Sequence, residues 1–435
     1  MEVSVEKTSE LSRKMTIIVA EDVIQSKIAS RLQSVASTAK VDGFRPGKVP
    51  KSVIKKMYGT RVREEVTGDL IQINYFAALK EQDLQPAGMP HIDVNKNGTD
   101  QGLEFTATFE VYPEISLDAI SGIEVTQAIS SVGDSDIEVM IDKLRSQRAI
   151  FEESDQAAKD TDQVTISFAG VCNGENFTEG TIDDFGVIIG SNRMIAGFEA
   201  ELIGLETGAK KSFDITFPDD YANADLSGQV ASFDIEVTKV ENSVLPEIDE
   251  DFIKTYGVES GNADDFRADV VQNMQRELNQ ALETKFKSVV MNALFDTIEV
   301  ALPTALIDQE VESLMKPYKE NLDRQNIEMG DADLPAKEAF EERAGRRVAL
   351  GLILSEISQK NEITANADKV RNVINEMAES YEDPEEVINW YYSDNKRLEE
   401  VEQKVLEDST VAWVVERIKV TEETVAFSDV LEPAK

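Results

Sequence analysis

The chain has 435 residues, a formal net charge of −40, one Cys and one His. A lone Cys172 allows no internal disulfide, which suits a reducing compartment, and zinc sites built from Cys and His are excluded. No run of 18 apolar residues occurs and MEVSVEKTSE lacks the layout of a secretory signal, so neither a membrane span nor export is expected.

With 41% hydrophobic and 29% charged residues, the chain can bury several cores, and roughly two to four domains are expected. The charge is uneven. Residues 1–112 carry 15 Lys+Arg and 15 Asp+Glu, so the whole −40 lies after them. Within the neutral head, Lys40, Arg45, Lys48, Lys51, Lys55, Lys56, Arg61 and Arg63 face only Asp42 over residues 40–63. Such a stretch fits an anionic partner held at one place, or a solvated helix face.

In chain order, VSVEK and KMTIIVA predict strands. Val23, Ile24, Ile28, Leu32 and Val35 predict a helix over 20–38. The loop VDGFRPGKVP breaks it, and a long helix over 51–82 follows. LQPAGMPHIDV and LEFTATFEVYP then close an α+β head at residue 112. Residues 113–149 form a connector with a strand at IEVTQA and a helix starting at Asp134. Residues 150–245 are β-rich: QVTISFAG, FGVIIG, KSFDITF and ASFDIEVTKV read as strands, with a short helix near Met194–Leu202. Residues 246–435 read as all helical, with Pro303, Pro335 and Pro384 each near a first turn and a last long helix over 395–418. Leu302, Leu306, Ile307, Val311, Leu314 and Met315 form one apolar stripe, and Val348, Leu350, Leu352, Ile353, Leu354 and Ile357 another. Each stripe is core or a contact surface for other chains. The fold class is therefore multidomain α+β.

Several chemistries are excluded. Gly43 and Gly47 stand too close for a phosphate-binding loop, and Lys48 precedes Val49 where Ser or Thr would be needed, so ATP use is not expected. His91 reads as a partly buried structural residue of a strand, and Cys172 as a core or edge residue. No cofactor and no metal are expected.

Two segments carry the function. In Gly43-Phe44-Arg45-Pro46-Gly47-Lys48, followed by Val49-Pro50, prolines stiffen a loop that presents an apolar ring, a guanidinium and an ammonium. That is the makeup of a docking anchor, or of an interhelical turn. Between residues 164 and 240, Phe168, Phe177, Phe185, Phe198, Phe213, Phe217, Tyr221 and Phe233 are enough for a small core and for a pocket as well.

GFRPGKVP resembles the ribosome-docking signature of the trigger factor family. The likeness extends through an FKBP-like middle to the ending VINWYYSDNKRLEEVEQKVLEDSTVAWVVERIKVTEE. The resemblance implies a ribosome-binding head, an FKBP-like β-rich domain with a short helix, and an all-helical C-terminal body with arms. Gly43, Phe44, Arg45, Pro46, Gly47 and Lys48 would contact a ribosomal protein and rRNA at the exit tunnel. FGVIIGSNRMIAGFEAELIGLETGAKKSFDITFPDDYA resembles the FKBP family. That implies a peptidyl-prolyl isomerase pocket of Phe168, Phe177, Phe185, Met194, Ile195, Phe198, Tyr221 and Phe233, with the Ile195 amide on the substrate carbonyl. Phe198 stands where many FKBPs have Trp, and Thr178 where they have Asp. The partners implied are the ribosome and nascent or unfolded chains, in the cytoplasm and away from membranes, with a homodimer off the ribosome. A free prolyl isomerase and a nucleic-acid-binding regulator are the competing readings of the residues.

Overall fold

The computed structural model describes residues 1–39, 44, 49–98, 102–178, 180–218, 221, 223, 226–324, 337–379, 381 and 383–431. Its elements group into two units, Met1–Ala128 with Thr284–Glu423, and Ile129–Glu283 with Thr424–Lys435.

The first unit opens with β1 (Glu2–Lys7), β2 (Ser12–Val19), α1 (Glu21–Thr38), α2 (Lys51–Glu81), β3 (His91–Gly98) and β4 (Gly102–Glu110). The strands form one antiparallel sheet in the order β1-β2-β4-β3. Alternation explains its buried face. Met15, Ile17 and Val19 on β2 lie beside Ala107, Phe105 and Leu103 on β4, and all six are buried. Helical spacing supplies the cover: Ile24 and Ile28 on α1, and Val62, Val66 and Leu70 on α2, complete the same core. Arg63 does not join the basic surface. Its guanidinium donates to both Glu21 oxygens, at 3.1 and 3.2 Å, and to Asn97 Oδ1 and the Gly98 carbonyl. The expected partial burial of His91 is also corrected. It sits at the start of the edge strand β3, exposed, with Nε2 3.3 Å from Asp93.

Then come β5 (Glu124–Ile129), α3 (Asp134–Ser146), β6 (Ile150–Glu153), β7 (Gln163–Cys172), β8 (Glu175–Asn176), β9 (Ile182–Ile188), β10 (Lys210–Thr216) and β11 (Val230–Val244). In the second unit, β10-β11-β7-β8 form the spine of a six-stranded antiparallel sheet, with β6 paired to β11 and β9 to β7. Its core alternates cleanly. Val164, Ile166 and Phe168 on β7 and Phe233, Ile235 and Val237 on β11 are all buried. Cys172 closes β7 as a buried core residue. The short helix expected near Met194–Leu202 is smaller than that: only a 3-10 turn, Glu199–Leu202, forms. Gly197 has φ +93°, which no α-helix tolerates, so the helix cannot begin before it.

The helices that remain are α4 (Glu250–Lys254), α5 (Ala263–Thr297), α6 (Thr304–Arg324), α7 (Glu338–Lys360), α8 (Ala367–Ala378), α9 (Pro384–Tyr392), α10 (Asn395–Val415) and α11 (Phe427–Leu431). The C-terminal stretch also holds one strand where helix alone was expected: β12 (Lys419–Thr424) pairs with β5. Both apolar stripes are largely core. Val311 and Met315 pack with Phe340 and Ala344, and Ile353 and Ile357 pack with Val290, Leu294 and Val411. Pro335 lies outside the described residues. Among the described residues no helix is long and apolar enough to cross a membrane.

Asp162 shows how the second unit is tied. Its buried carboxylate accepts from the Lys159 amide at 2.9 Å and the Ser243 amide at 3.0 Å. Asp162→Ala strands both donors, so stability falls by about 1–3 kcal/mol. Denaturant unfolding of the intact chain, with hydrogen exchange at those two amides, measures this. Unchanged exchange at both would contradict the assignment.

Candidate functional site

The eight residues expected to form a pocket come from six places in the sequence, and the sheet gathers most of them into one cluster. Phe168 lies on β7, Phe185 on β9 and Phe233 on β11. Phe198 precedes the 3-10 turn and is fully buried, so it forms the floor. Its ring centroid lies 6.2 Å from Phe168 and 5.3 Å from Phe233, both nearly edge-on. Edge-to-face contacts of this kind set a positive ring edge against a negative ring face and hold the rings in fixed orientations. Phe177 meets Phe233 at 5.7 Å, and Phe185 meets Phe168 at 5.5 Å. Met194 and Ile195 pack against the cluster while partly exposed. Tyr221 reaches it through Phe217, at 4.6 Å.

The cluster is graded from floor to rim. Phe168, Phe198 and Phe233 are buried, whereas Phe185 and Tyr221 are 37% and 39% exposed. A sealed core would bury all of them. Two further rings belong to it, Phe213, stacked on Phe233 at 6.0 Å, and Phe217, at 5.8 Å from Phe177. Their place on and just after β10 gave no separate signal beyond aromatic density.

The backbone around Ile195 is unevenly satisfied. Its carbonyl accepts from the Phe198 amide at 3.0 Å, and among the described residues no acceptor takes its N–H. The preceding residues converge on a carboxylate that sequence reasoning missed. Glu199 is buried and accepts from Ser191 Oγ and the amides of Asn192, Arg193 and Met194, at 3.0–3.2 Å. Burial alone would raise its pKa, but the hydrogen bonds from Met194, Asn192, Ser191 and Arg193 outweigh that and hold it below the ordinary carboxylate range. The stabilisation is thus present above the unfolded carboxyl's pKa and is lost as pH falls through the lowered value.

Thr178, partly buried, fills the position where the FKBP resemblance puts Asp. Its Oγ1 accepts from the Gly170 amide at 3.1 Å and lies 2.7 Å from the Gly180 carbonyl. Thr178 therefore anchors the turn after β8 and carries no charge into the cluster.

In the head, Phe44 is 42% exposed. Gly43, Arg45, Pro46, Gly47 and Lys48 lie outside the described residues. Directly after them, α2 starts at Pro50 without a side-chain cap and with no acid in its first turn. Lys51, Lys55, Lys56 and Arg61 are all exposed. Lysines at the positive end of a helix oppose its dipole, at a cost of a few tenths of a kcal/mol each. An anion bound there would reverse that penalty.

In the C-terminal stretch, Met377, Tyr381, Val387, Trp390 and Tyr391, with the acids Asp383 and Glu386, line an open groove of ≈ 990 Å³. Trp390 and Tyr381 are at least half exposed.

Comparison with known proteins gives one consistent result. The model of the bacterial trigger factor protein matches residues 1–144, and that of its C-terminus matches 262–416. The model of FKBP-type peptidyl-prolyl cis-trans isomerases matches 154–238. The trigger factor of Alcanivorax borkumensis is 41% identical over 433 residues, covering 100% of this chain and 99% of that protein. The trigger factor of Marinobacter nauticus is 42% identical, covering 99% of each. A solved structure of the trigger factor chaperone aligns with 96% of this chain and 99% of its own, at 18% identity and a TM-score of 0.48.

One close contact makes the aromatic wall testable. A Cβ on Gly170 would lie 2.3 Å from Phe177 Cζ, so only glycine lets that ring rest on β7. Gly170→Ala is expected to expel Phe177 from the cluster, seen as loss of the nuclear Overhauser contacts between Phe177 and Phe233. Retention of those contacts would contradict the packing described.

Proposed function

This chain belongs to the trigger factor family, whose members are ribosome-associated chaperones with FKBP-type peptidyl-prolyl isomerase activity, and from that premise we propose how its residues divide the work. The protein is a ribosome-associated chaperone and a peptidyl-prolyl cis-trans isomerase that binds nascent chains. Residues 1–112 are the ribosome-binding head, 113–149 a connector, 150–245 the isomerase domain and 246–435 the chaperone body. The FKBP-type match over 154–238 falls inside the isomerase domain and the C-terminal match over 262–416 inside the body, while the match over 1–144 runs through the head and most of the connector.

The single observation that carries the isomerase assignment is the graded aromatic cluster together with an Ile195 N–H that no acceptor among the described residues takes. Rotation about a peptide bond is opposed by about 18–20 kcal/mol of resonance. The planar amide is the more polar form, and an apolar box built from Phe168, Phe177, Phe198 and Phe233 favours the twisted one. Phe185, Met194 and Tyr221 at the rim hold the proline ring. The Ile195 amide takes the carbonyl of the residue being bound. No nucleophile or proton relay is required, which agrees with a cluster whose buried rings, Phe168, Phe198 and Phe233, carry no titratable group. Uncatalysed isomerisation takes tens to hundreds of seconds, slow enough to limit folding of a nascent chain.

For docking, Phe44 is the apolar anchor, and Arg45 and Lys48 supply charge to an exit-tunnel ribosomal protein and to rRNA. The exposed Lys51, Lys55 and Lys56 at the capless start of α2 support this, since they follow directly on the same basic stretch of sequence. The acidic remainder of the chain opposes any wider grip on RNA. We place the protein in the cytoplasm, where ribosomes work, and a homodimer off the ribosome is compatible with its composition.

Two experiments separate the functions. Phe198→Ala removes the floor and should slow isomerisation of a prolyl tetrapeptide about tenfold or more, equivalent to about 1.4 kcal/mol of lost transition-state stabilisation; an unchanged rate rejects the pocket. Arg45→Glu with Lys48→Glu should release the protein from vacant ribosomes while isomerase activity survives. Co-sedimentation at the wild-type level rejects the docking assignment.

A further inference from the structure

The segment between Gly190 and Phe198 is held in a shape that its own backbone does not favour. Asn192 has φ +55° and Gly197 φ +93°. Glycine adopts this region freely, but a non-glycine residue such as Asn192 stays there only where its surroundings hold it. Besides its own side-chain amide on the Gly190 carbonyl, those surroundings are chiefly one side chain. Glu199 Oε1 accepts from Ser191 Oγ, Arg193 N and Met194 N, and Oε2 accepts from Asn192 N. Four donors on a single buried carboxylate fix the chain up to the residue immediately before Ile195.

The other side of Ile195 is fixed as well. Its carbonyl accepts from the Phe198 amide, and Phe198 is the buried floor of the cluster. Glu199 is the next residue along. The carboxylate and the floor ring therefore stand on adjacent residues, and the loop that carries the Ile195 N–H closes between them.

We propose that Glu199 is a positioning residue of the isomerase site: its carboxylate gathers the 191–194 backbone so that the Ile195 N–H is set over the Phe198 ring, ready for the substrate carbonyl. The inference deepens the pocket reading above and rests on it. Glu199 itself does not touch the substrate. Glu199 is buried and its two oxygens are taken up by the four donors of 191–194, which leaves it out of reach as a substrate contact. A glutamine at 199 keeps the size but offers one acceptor oxygen and introduces an amide donor that opposes the amides now converging there. The loop then samples other shapes, and the substrate must order it on binding. That cost falls on substrate affinity, so KM rises while kcat changes little. A loss of fold would instead reduce the active fraction and lower kcat at constant KM.

The test uses the full chain labelled with 15N-isoleucine, a prolyl tetrapeptide, and the Glu199→Gln variant. In the wild type the peptide is expected to shift the Ile195 amide resonance. In Glu199→Gln, KM should rise about fivefold or more with kcat within about twofold, and the Asn192, Arg193 and Met194 amides should exchange faster. If the peptide moves neighbouring pocket resonances in the wild type but not the Ile195 amide, the underlying site reading fails. If the Ile195 amide responds and Glu199→Gln leaves KM and exchange unchanged, the positioning role alone is overturned. Should Glu199→Gln not fold, Ser191→Ala removes one donor to Oε1 and leaves the carboxylate in place. It should raise KM in the same direction by a smaller factor, and an unchanged KM with unchanged exchange would overturn the proposal.

Discussion

The packing of phenylalanine on phenylalanine around Phe233 is the constraint on which the isomerase reading depends. Phe168, Phe177, Phe198, Phe213 and Phe217 all lie within 6.4 Å of its ring centroid. These rings stabilise the sheet by leaving water, each contributing on the order of 1.5–3 kcal/mol. They also present an apolar, weakly hydrogen-bonding surface at the rim, where Phe185 and Tyr221 remain partly exposed. Core and proposed site are therefore one object, and its rigidity is inherited from folding.

Charge organises the rest of the molecule. The head is neutral in sum and concentrates its lysines at the start of α2, close in sequence to an exposed Phe44. The residues beyond 112 carry all of the net negative charge, which keeps a chain with exposed rings such as Trp390 and Tyr381 in solution. The structure refines this division. Arg63 bonds Glu21, Asn97 and Gly98 and holds α1, α2 and β3 together, so among the described residues the exposed cations of this stretch are Lys51, Lys55, Lys56 and Arg61 of α2.

Much of this was legible in the sequence because it rests on short-range patterns. Alternation in KMTIIVA and LEFTATFEVYP, and i, i+4 spacing from Val62 to Leu70, are local signals that packing then obeyed. The aromatic cluster was legible by density, and its members by likeness to a known pocket. What escaped depended on long-range closure. β12 is a strand only because β5 offers a partner some 295 residues away in sequence, as the Lys419–Glu124 pair marks. Glu199 looks like any acid in a chain rich in them, and its role appears only when four donors from 191–194 fold onto it. The short helix expected near Met194–Leu202 forms only after Gly197, whose positive φ is a backbone property that the residue pattern alone does not specify.

The central claim is that isomerisation here proceeds without proton transfer, driven by an apolar ring cluster and one backbone amide. The direct measurement is kcat/KM of the full chain for a prolyl tetrapeptide between about pH 5.5 and 8.5, in H2O and in D2O. The account predicts a flat profile and a solvent isotope ratio of about 1, because no titrating side chain takes part in the step. A bell-shaped profile, or a ratio of about 2 or more, would show an acid or base at work and would contradict it.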